Sequence, residues 1–298
     1  MKNMETAPNP TKSLSEFVFL PSDLTGLVES HSIPSGTFEQ ALYDAVRKRI
    51  DAPIEQGGFG GNQSFGLKYS DKRQFTGSTP FLQLLVDETL EPYHAGTALL
   101  SDLQNPRVLQ AVKGQHYVDS QELVLRGTHK GYEKNIPIFR ELAEHVGDLS
   151  VPVRISGLRV IAWPEDETGY KLKLFPTADF RVTKDDRLDA KWNQYKFTKT
   201  DSDGMPSDLT KDGKGRTWFT NDQRLSGLYL HRDLYFSSNY ENLANSNEYG
   251  RVVVVSRGAS ASDFQRILDN QARNELLGRL GEVREYVQRL EGVLAERR

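Results

Sequence analysis

Side chains that could do chemistry are few in this sequence, and none falls into a catalytic or metal-binding motif. The chain has no cysteine, which excludes disulfides, thiolate catalysis and cysteine-based zinc sites. The catalytic and zinc signatures GxSxG, SxxK and HExxH are absent from the sequence. No recognisable metal motif contains any of the six histidines, which are His31, His94, His116, His129, His145 and His231. An active site assembled from distant residues is the alternative that this pattern leaves open.

Two short patterns match parts of phosphate or ion sites without completing them. Gly57, Gly58, Gly60 and Gly61 suggest a phosphate loop, but no GxGxxG or GKS/GKT motif follows a strand and opens a helix. Residues 201–204 supply two aspartates and a glycine of a calcium loop, whose first-position Asp and twelfth-position Glu have no counterpart. We therefore expect a flexible loop and a solvated turn, and we predict neither a metal site nor a cofactor.

The bulk composition favours a globular protein that contacts neither membrane nor nucleic acid. The 38 Lys and Arg residues against 41 Asp and Glu residues give a net charge of −3, which exerts no global pull on nucleic acid or acidic lipid. No apolar run approaches the ~20 residues that a membrane span needs. Residues 1–15 are polar and lack the apolar core of a signal peptide, so we expect a disordered lead-in. A cytoplasmic location is expected, with display on a surface or virion as the alternative.

The first half of the chain alternates helical and extended patterns. Apolar residues recur at helical spacing, and prolines stand at the start or just past the end of several segments. Residues 117–126 are predicted to be a strand or hairpin. Helices are predicted over residues 37–50, 80–90, 106–112 and 137–146.

From residue 151 to residue 256 the pattern changes to strand and turn. Strict alternation over residues 170–175 predicts one buried face, with Lys171 and Lys173 in water. Four consecutive valines at 252–255 suit a strand that is buried on both faces. A hairpin turn is expected near Thr168 and Gly169. Further strands are predicted over residues 157–163, 180–183, 192–197, 217–220, 225–230 and 251–256.

The last predicted element is a helix that begins near Ser262, where Gln265 completes a capping box. From Ala259 onward seven Arg balance seven Asp or Glu residues, which favours a coiled-coil flank over a nucleic-acid arm. We expect homo-oligomerisation through residues 262–298, and a helix packed on its own domain is the alternative. The heptad seam consists of Leu276, Leu280, Val283, Val287, Leu290 and Leu294.

Residues 231–249 (HRDLYFSSNYENLANSNEY) have the composition that most favours binding. Twelve of these nineteen residues are Asn, Asp, His, Tyr or Ser, and such types suit an exposed recognition surface. Tyrosine gives a large amphipathic contact at low entropic cost, and Ser and Asn give adaptable hydrogen bonds. An ordinary polar loop is the alternative, because Asn, Asp and Ser also form turns. A plain turn does not need the large rings of His231, Tyr235, Tyr240 and Tyr249.

The run LSGLYL…LANSNEYGRVVVVS, preceded by GRTWFT at residues 215–220, resembles the variable region of target proteins of diversity-generating retroelements. In that family a reverse transcriptase copies a template repeat and misincorporates at adenines, so that template Asn codons become many other residues. One adenine change in an Asn codon gives Asp, His, Tyr, Ser, Thr or Ile. The resemblance covers about residues 215–256 of this chain.

The resemblance implies a C-type-lectin fold that displays variable residues and uses them to bind other macromolecules. Two features depart from the family: about forty residues follow the variable stretch, which usually ends the protein, and the Arg-Gly-Gly-Ser-Trp signature is absent. The resemblance does not extend to residues 1–150 and implies no function for them. The implied ligand-binding residues, all reachable from Asn by adenine changes, are His231, Asp233, Tyr235, Ser237, Ser238, Asn239, Tyr240, Asn242, Asn245, Asn247 and Tyr249.

We therefore predict an α+β protein with a mixed N-terminal domain (16–150), a β-rich C-type-lectin-like domain (151–257) and an amphipathic helical tail (258–298). The predicted function is that of a display protein, not an enzyme. Its hypervariable surface, about residues 231–249, recognises a protein or another macromolecule. The alternative is a coiled-coil structural or phage-type assembly protein without a dedicated ligand site. Predicted core residues are Leu228, Leu230 and the valines at 252–255.

Overall fold

The computed structural model describes residues 18–19, 35–69 and 75–256, together with positions 269, 273, 277, 280 and 284 of a C-terminal helix. These residues form an α+β protein, as predicted, in which helices pack against a seven-stranded sheet and two small sheets accompany it. The predicted lead-in over residues 1–15 lies outside the described residues.

Four α-helices between residues 35 and 256 confirm the four predicted segments to within two residues at each end. The second begins with a proline, and the Thr79 hydroxyl caps it by accepting a hydrogen bond from the Leu82 N–H at 3.0 Å. The Asn105 side chain caps the third in the same way. The helices are α1 (Ser35–Asp51), α2 (Pro80–Leu90), α3 (Pro106–Val112) and α4 (Ile136–Val146).

Twelve strands are formed by the described residues. Seven of them coincide with predicted strands, and one of these seven, over residues 172–184, joins two predicted strands into one. The four short strands that precede residue 98 were not predicted, and the strand over residues 236–240 lies inside the polar stretch that was predicted only as a recognition surface. The strands are β1 (Val18–Phe19), β2 (Lys68–Tyr69), β3 (Phe75–Thr76), β4 (Ala95–Thr97), β5 (Val118–Leu125), β6 (Val153–Ala162), β7 (Leu172–Lys184), β8 (Tyr195–Phe197), β9 (Arg216–Phe219), β10 (Leu225–Leu230), β11 (Phe236–Tyr240) and β12 (Val254–Ser256).

The main sheet has the strand order β7-β6-β5-β10-β11-β9-β8. Its neighbours are antiparallel except β9, which runs parallel to β11. Strand β5 is an interior strand, and it pairs with β6 on one side and with β10, the central strand, on the other. The predicted division at 150/151 is therefore crossed by strand pairing, and residues on both of its sides share one sheet.

Two apolar clusters fill the molecule, one on each face of the main sheet. Leu123 and Leu125 of β5 point into the larger cluster with residues of α1, α2 and α4, whereas Val124 points into the smaller one. The valines at 252–255 alternate between the two, since Val252 and Val254 join the larger cluster and the other two join the smaller. This confirms the prediction of a segment buried on both sides.

The pairing of β10 is irregular where it passes Gly227. Between Gly227 and Tyr229 the partner residue changes from Leu123 to Asp119 on β5, and from Tyr240 to Ser237 on β11. The extra residues on both neighbours bulge away from β10 at this point. A Cβ atom on Gly227 would lie 3.1 Å from the Pro80 ring, so glycine allows α2 to approach the bulge closely.

Only single positions of the C-terminal helix are described. Asp269, Arg273, Leu277, Leu280 and Arg284 are all helical and exposed. Leu280, a residue of the predicted heptad seam, is 56% exposed, and Leu277 is 55% exposed. The remaining seam residues lie outside the described residues, so self-association through the seam stays a prediction.

Candidate functional site

Strands β9, β10 and β11 carry a row of aromatic side chains on one face of the main sheet. Tyr229 of β10 and Phe219 of β9 both lie opposite Ser237 of β11. Facing residues of paired strands project to the same side of a sheet, so their side chains are neighbours. His231 and Tyr235, in the turn that joins β10 to β11, continue this row. We use the term aromatic surface for Phe219, Tyr229, His231, Tyr235 and Tyr240.

The rings of the aromatic surface contact one another in a continuous chain. The Tyr235 ring stacks on His231 with centroids 4.1 Å apart and meets Phe219 edge-on at 4.9 Å. Tyr229 lies edge-on to Tyr235 at 6.2 Å and to Tyr240 at 6.0 Å. Such pairs contribute about 0.5–1.5 kcal/mol each beyond simple burial. The rings therefore hold one another in place without a ligand.

The aromatic surface is half-open to solvent. Tyr240 is 37% exposed, and the other four side chains are partly buried. Partial burial lowers the pKa of His231, because the imidazolium loses hydration, and it raises the pKa of Tyr235 and Tyr240. At neutral pH the surface therefore presents uncharged rings with phenolic hydroxyls.

The carboxyl group of Asp119 lies next to these tyrosines on the same side of the sheet. Asp119 faces Tyr229 across β5 and β10 and is only 7% exposed. Its Oδ2 atom is buried, and within the described part of the chain it has neither a hydrogen-bond partner nor an ion pair with a Lys or Arg. Burial raises the pKa of Asp119 to about 7, although the Ser78 hydroxyl acts in the opposite sense. The group is therefore poised between its neutral and charged forms near physiological pH.

Tyr117 borders the same region. Burial, followed by the nearby Asp119 charge, raises the pKa of Tyr117 to about 12. Its hydroxyl accepts a hydrogen bond from the Asn247 N–H at 3.1 Å and so fixes the loop after β11. In the same loop the Tyr249 ring lies 5.9 Å from the Arg232 guanidinium.

Nine of the eleven predicted ligand-binding residues are at least partly exposed. His231, Tyr235 and Tyr240 belong to the aromatic surface, and Asn239 extends it at the end of β11. The side chains of Tyr240 and Asn245 contact each other. The other exposed members lie in the flanking turns: Asp233, Asn242, Asn247 and Tyr249.

Ser237 and Ser238 require a correction, because both are fully buried and present no side chain to a ligand. Ser238 is buried because it binds the side chain of Arg126, which is 2% exposed and lies in the interior. One Arg126 Nη atom donates to the Ser238 Oγ at 2.7 Å and to the Thr220 Oγ1 at 2.9 Å. The remaining donors reach carbonyl or hydroxyl oxygens of Leu188, Gln223 and Ser226.

Sequence reasoning missed three members of the site, namely Tyr229, Phe219 and Asp119. Tyr229 and Phe219 have signals in the sequence, because each alternates with core residues in a predicted strand, so that its side chain must project to the opposite face. Asp119 has a weaker signal: it is a carboxylate in the strand-like run YVDSQELVLR. Its position beside Tyr229 depends on long-range strand pairing and could not be read from local sequence.

A second group of buried ionisable side chains lies near the start of β12. Burial raises the pKa of Glu39 to about 7 and lowers that of His116 to about 4, and the charge of Arg251 acts on both. The Glu39 carboxylate accepts a hydrogen bond from the Phe75 N–H at 2.6 Å. This contact ties α1 to β3, which is a structural role.

No group of three or more side chains able to hold a metal ion occurs within the described ranges. Over the same part of the chain, no helix combines the length and apolar character needed to cross a bilayer. Comparison of the chain with models of protein families, with curated proteins and with solved structures finds no match in any of the three. The C-type-lectin-like assignment stays a prediction.

Proposed function

We propose that this chain is a ligand-binding protein that recognises a protein or another macromolecule through the aromatic surface. The observation that carries the proposal is the unbroken contact between five half-open rings, three on paired strands and two in the turn that joins β10 to β11. Aromatic side chains on a rigid support lose little entropy when they bind, and they are enriched at the centres of protein interfaces. A cytoplasmic location is part of the proposal.

Binding is favoured over catalysis by the chemistry of the site. The tyrosine pKa values are raised, so the hydroxyls are weak acids that stay protonated at neutral pH. A nucleophile requires an adjacent base that takes its proton. His231 stacks face to face on Tyr235 and accepts the backbone N–H of Asp233 through its Nδ1 at 3.2 Å. The imidazole is thus used as a flat contact surface.

We further propose that adenine-directed mutagenesis diversifies the exposed positions around this surface. The support is that most residues whose codons can arise from an Asn codon by adenine changes are also residues that the fold exposes. Buried Ser237 and Ser238 depart from that agreement. The nine remaining positions are His231, Asp233, Tyr235, Asn239, Tyr240, Asn242, Asn245, Asn247 and Tyr249.

Sequencing of the gene's surroundings tests the diversification. We expect a reverse transcriptase gene nearby and an adenine-rich near-copy of codons 225–256, with AAC or AAT at the nine exposed positions. Differences between the two copies should fall at template adenines. Differences spread equally over the other three bases would contradict adenine-directed mutagenesis while leaving the binding function intact.

A peptide library displayed on phage and panned against the immobilised full-length chain tests the binding function. We expect enriched peptides whose capture is lost in the double variant Tyr229→Ser/Tyr235→Ser. Tyr195→Ser is the matched control, because Tyr195 pairs with Trp218, whose ring lies in the core on the opposite face of the sheet. Enrichment that is equal for all three proteins, or no enrichment at all, would contradict the proposal.

A structural or assembly protein is the second candidate function. The exposure of Leu277 and Leu280 favours it, because these side chains leave apolar area open on the C-terminal helix. In that case the aromatic surface is inert, and assembly depends on residues 262–298 alone.

A further inference from the structure

We infer that the aromatic surface binds a cationic side chain of a protein ligand, with Asp119 as the counter-charge and the rings of Tyr229 and Tyr240 as its walls. The inference rests on the proposed binding function and specifies the chemistry that the site selects. Lysine and arginine side chains are the cations that a protein ligand supplies.

The first support is the unpaired carboxyl group of Asp119. Asp119 is only 7% exposed, and its Oδ2 has no hydrogen-bond partner among the described residues. A buried polar atom that is left unpaired is costly, and its presence calls for a reason. Asp119 also acts electrostatically on Tyr117, Tyr229 and Tyr240, which places its charge beside these three phenols.

The second support is the ring geometry above Asp119. Tyr229 and Tyr240 lie nearly perpendicular to each other, with an interplanar angle of 75° and centroids 6.0 Å apart. A cation within about 6 Å of an aromatic centroid is attracted by the face of the ring. Tyr240, which is 37% exposed, is the more open of the two walls, so a ligand would reach the carboxyl group from its side.

The third support is the charge around the aromatic surface. The charge of Asp233 acts on Tyr235, and the charge of Glu241 acts on Tyr240. Arg232 is the basic residue that acts on the surface, at Tyr235 and His231. With Asp119, three acidic groups face one basic group. Arg232 is also directed toward the Tyr249 ring, at 5.9 Å. A cationic ligand is therefore favoured over an anionic one.

Binding of a cation should depend on pH. Among the described residues, the titratable groups that act on Asp119 are Tyr117 just before β5, Tyr229 on β10 and Tyr240 on β11. The segment before α2 contributes the neutral hydroxyl of Ser78. The tyrosines stay protonated at neutral pH, so Asp119 is the group that changes charge. Its ionised form binds a cation, and the affinity rises as pH increases through about 7.

The test uses N-acetyl-arginine amide and N-acetyl-lysine amide as probes, titrated against the full-length chain and followed by NMR of the tyrosine rings. The uncharged analogues N-acetyl-citrulline amide and N-acetyl-norleucine amide are the controls. At pH 8 we expect at least one cationic probe to bind about tenfold more tightly than its neutral analogue, a difference of about 1.4 kcal/mol. The preference should fall about tenfold at pH 6, where most of the carboxyl group is protonated.

Asp119→Asn should abolish the preference, and Asp212→Asn, at an exposed loop position, should keep it. Equal affinity of cationic and neutral probes for the native protein, or an unchanged preference in Asp119→Asn, would overturn the inference. Thermal unfolding of each variant checks that it is folded. If the peptide library is enriched in neutral peptides that still need Tyr229 and Tyr235, the cation site is wrong and the binding function stands.

Discussion

At the scale of single residues, Asp119 links the stability of this protein to its proposed binding. A carboxyl group in the interior usually has a cation or several donors around it. Asp119 has the Ser78 hydroxyl and its own backbone, and its Oδ2 is unpaired among the described residues. Such a residue destabilises the folded chain when it ionises.

Asp119→Asn should stabilise the protein at high pH. Asp119 has a pKa of about 7 in the folded chain against 3.8 for the free side chain, so the folded state keeps a proton that the unfolded state releases between these values. The stability of the native protein therefore falls as pH rises from about 4 to about 7, by up to about 4 kcal/mol from this group. The Asn variant lacks this contribution.

Urea unfolding at pH 5 and pH 8 measures the effect. The free energy of unfolding of Asp119→Asn, relative to the native protein, should be higher at pH 8 than at pH 5. Glu39 titrates in the same direction, but it is present in both proteins and cancels in the difference. A difference that does not change with pH would show that Asp119 ionises normally.

Ser238 is the residue whose part in the fold departs furthest from the sequence prediction. Ser238→Ala should destabilise the protein by about 1–3 kcal/mol, because it removes an acceptor from the buried Arg126 guanidinium. Asn245→Ala, at an exposed position of the same stretch, should change stability by about 0.5 kcal/mol or less. Urea unfolding of both variants measures the change in the free energy of unfolding. Equally small changes in the two variants would mean that water replaces the lost hydroxyl.

Local sequence could place the exposed polar residues but not the buried ones. His231, Tyr235 and Tyr240 were predicted from their types, and the structure brings them together. Serine is a residue type typical of exposed positions, so its type alone did not distinguish buried Ser237 and Ser238 from the exposed residues. Their burial follows from the position of Phe236, whose ring packs on Trp218 in the core. Phe236 begins β11, so the two serines that follow it are held inside the sheet.

At the scale of secondary structure, predictions succeeded where one signal dominated. Helix α2 was predicted at both ends because Pro80 opens it and a dense apolar run follows. The segment at 252–255 was predicted to be buried on both faces, because four consecutive valines leave no polar side chain to face water on either side of a strand. Strand β11 was missed since its polar residues, which pair with β10 and β9, match the composition of a loop.

Val253→Asp should unfold the protein under mild conditions. Val253 is fully buried, and its carbonyl accepts the Ala98 N–H at 2.8 Å, so an unpaired carboxylate there costs several kcal/mol. Val182→Asp is the matched control, because Val182 of edge strand β7 is 40% exposed. Circular dichroism melting should show a large loss for the first variant and a small one for the second. Similar losses would mean that the strand position of the charge matters more than its burial.

At the scale of the whole molecule, the predicted division into two domains is replaced by a shared sheet. The pairing of β5 with β6 and β10 joins residues that are about 30 to about 110 positions apart in sequence. The change from helical to strand and turn patterns near residue 151 could be read from the sequence. Which strands pair across it depends on contacts between distant segments, and a single sequence does not show them.

The C-terminal segment should self-associate. Deleting residues 262–298 should convert an oligomer into a monomer in sedimentation experiments, because each Leu or Val buried in the seam contributes about 1.5–3 kcal/mol. The exposure of Leu280 agrees with a side chain that lacks its partner helix in a single chain. A full-length protein that is monomeric at tens of micromolar would mean that the helix braces its own chain. The peptide-binding result should be the same with and without the deletion.

The Arg126 side chain has a consequence for hydrogen exchange. Its guanidinium connects the Leu188 turn, the segment from Thr220 to Ser226 and strand β11, which are far apart along the chain. None of these segments can open to solvent without leaving a buried cation with missing acceptors, so their amide protons should exchange as a single cooperative unit. The loop after β11 lies outside this unit. Its exchange can be faster, and substitutions there can accumulate without loosening the strands beneath the aromatic surface.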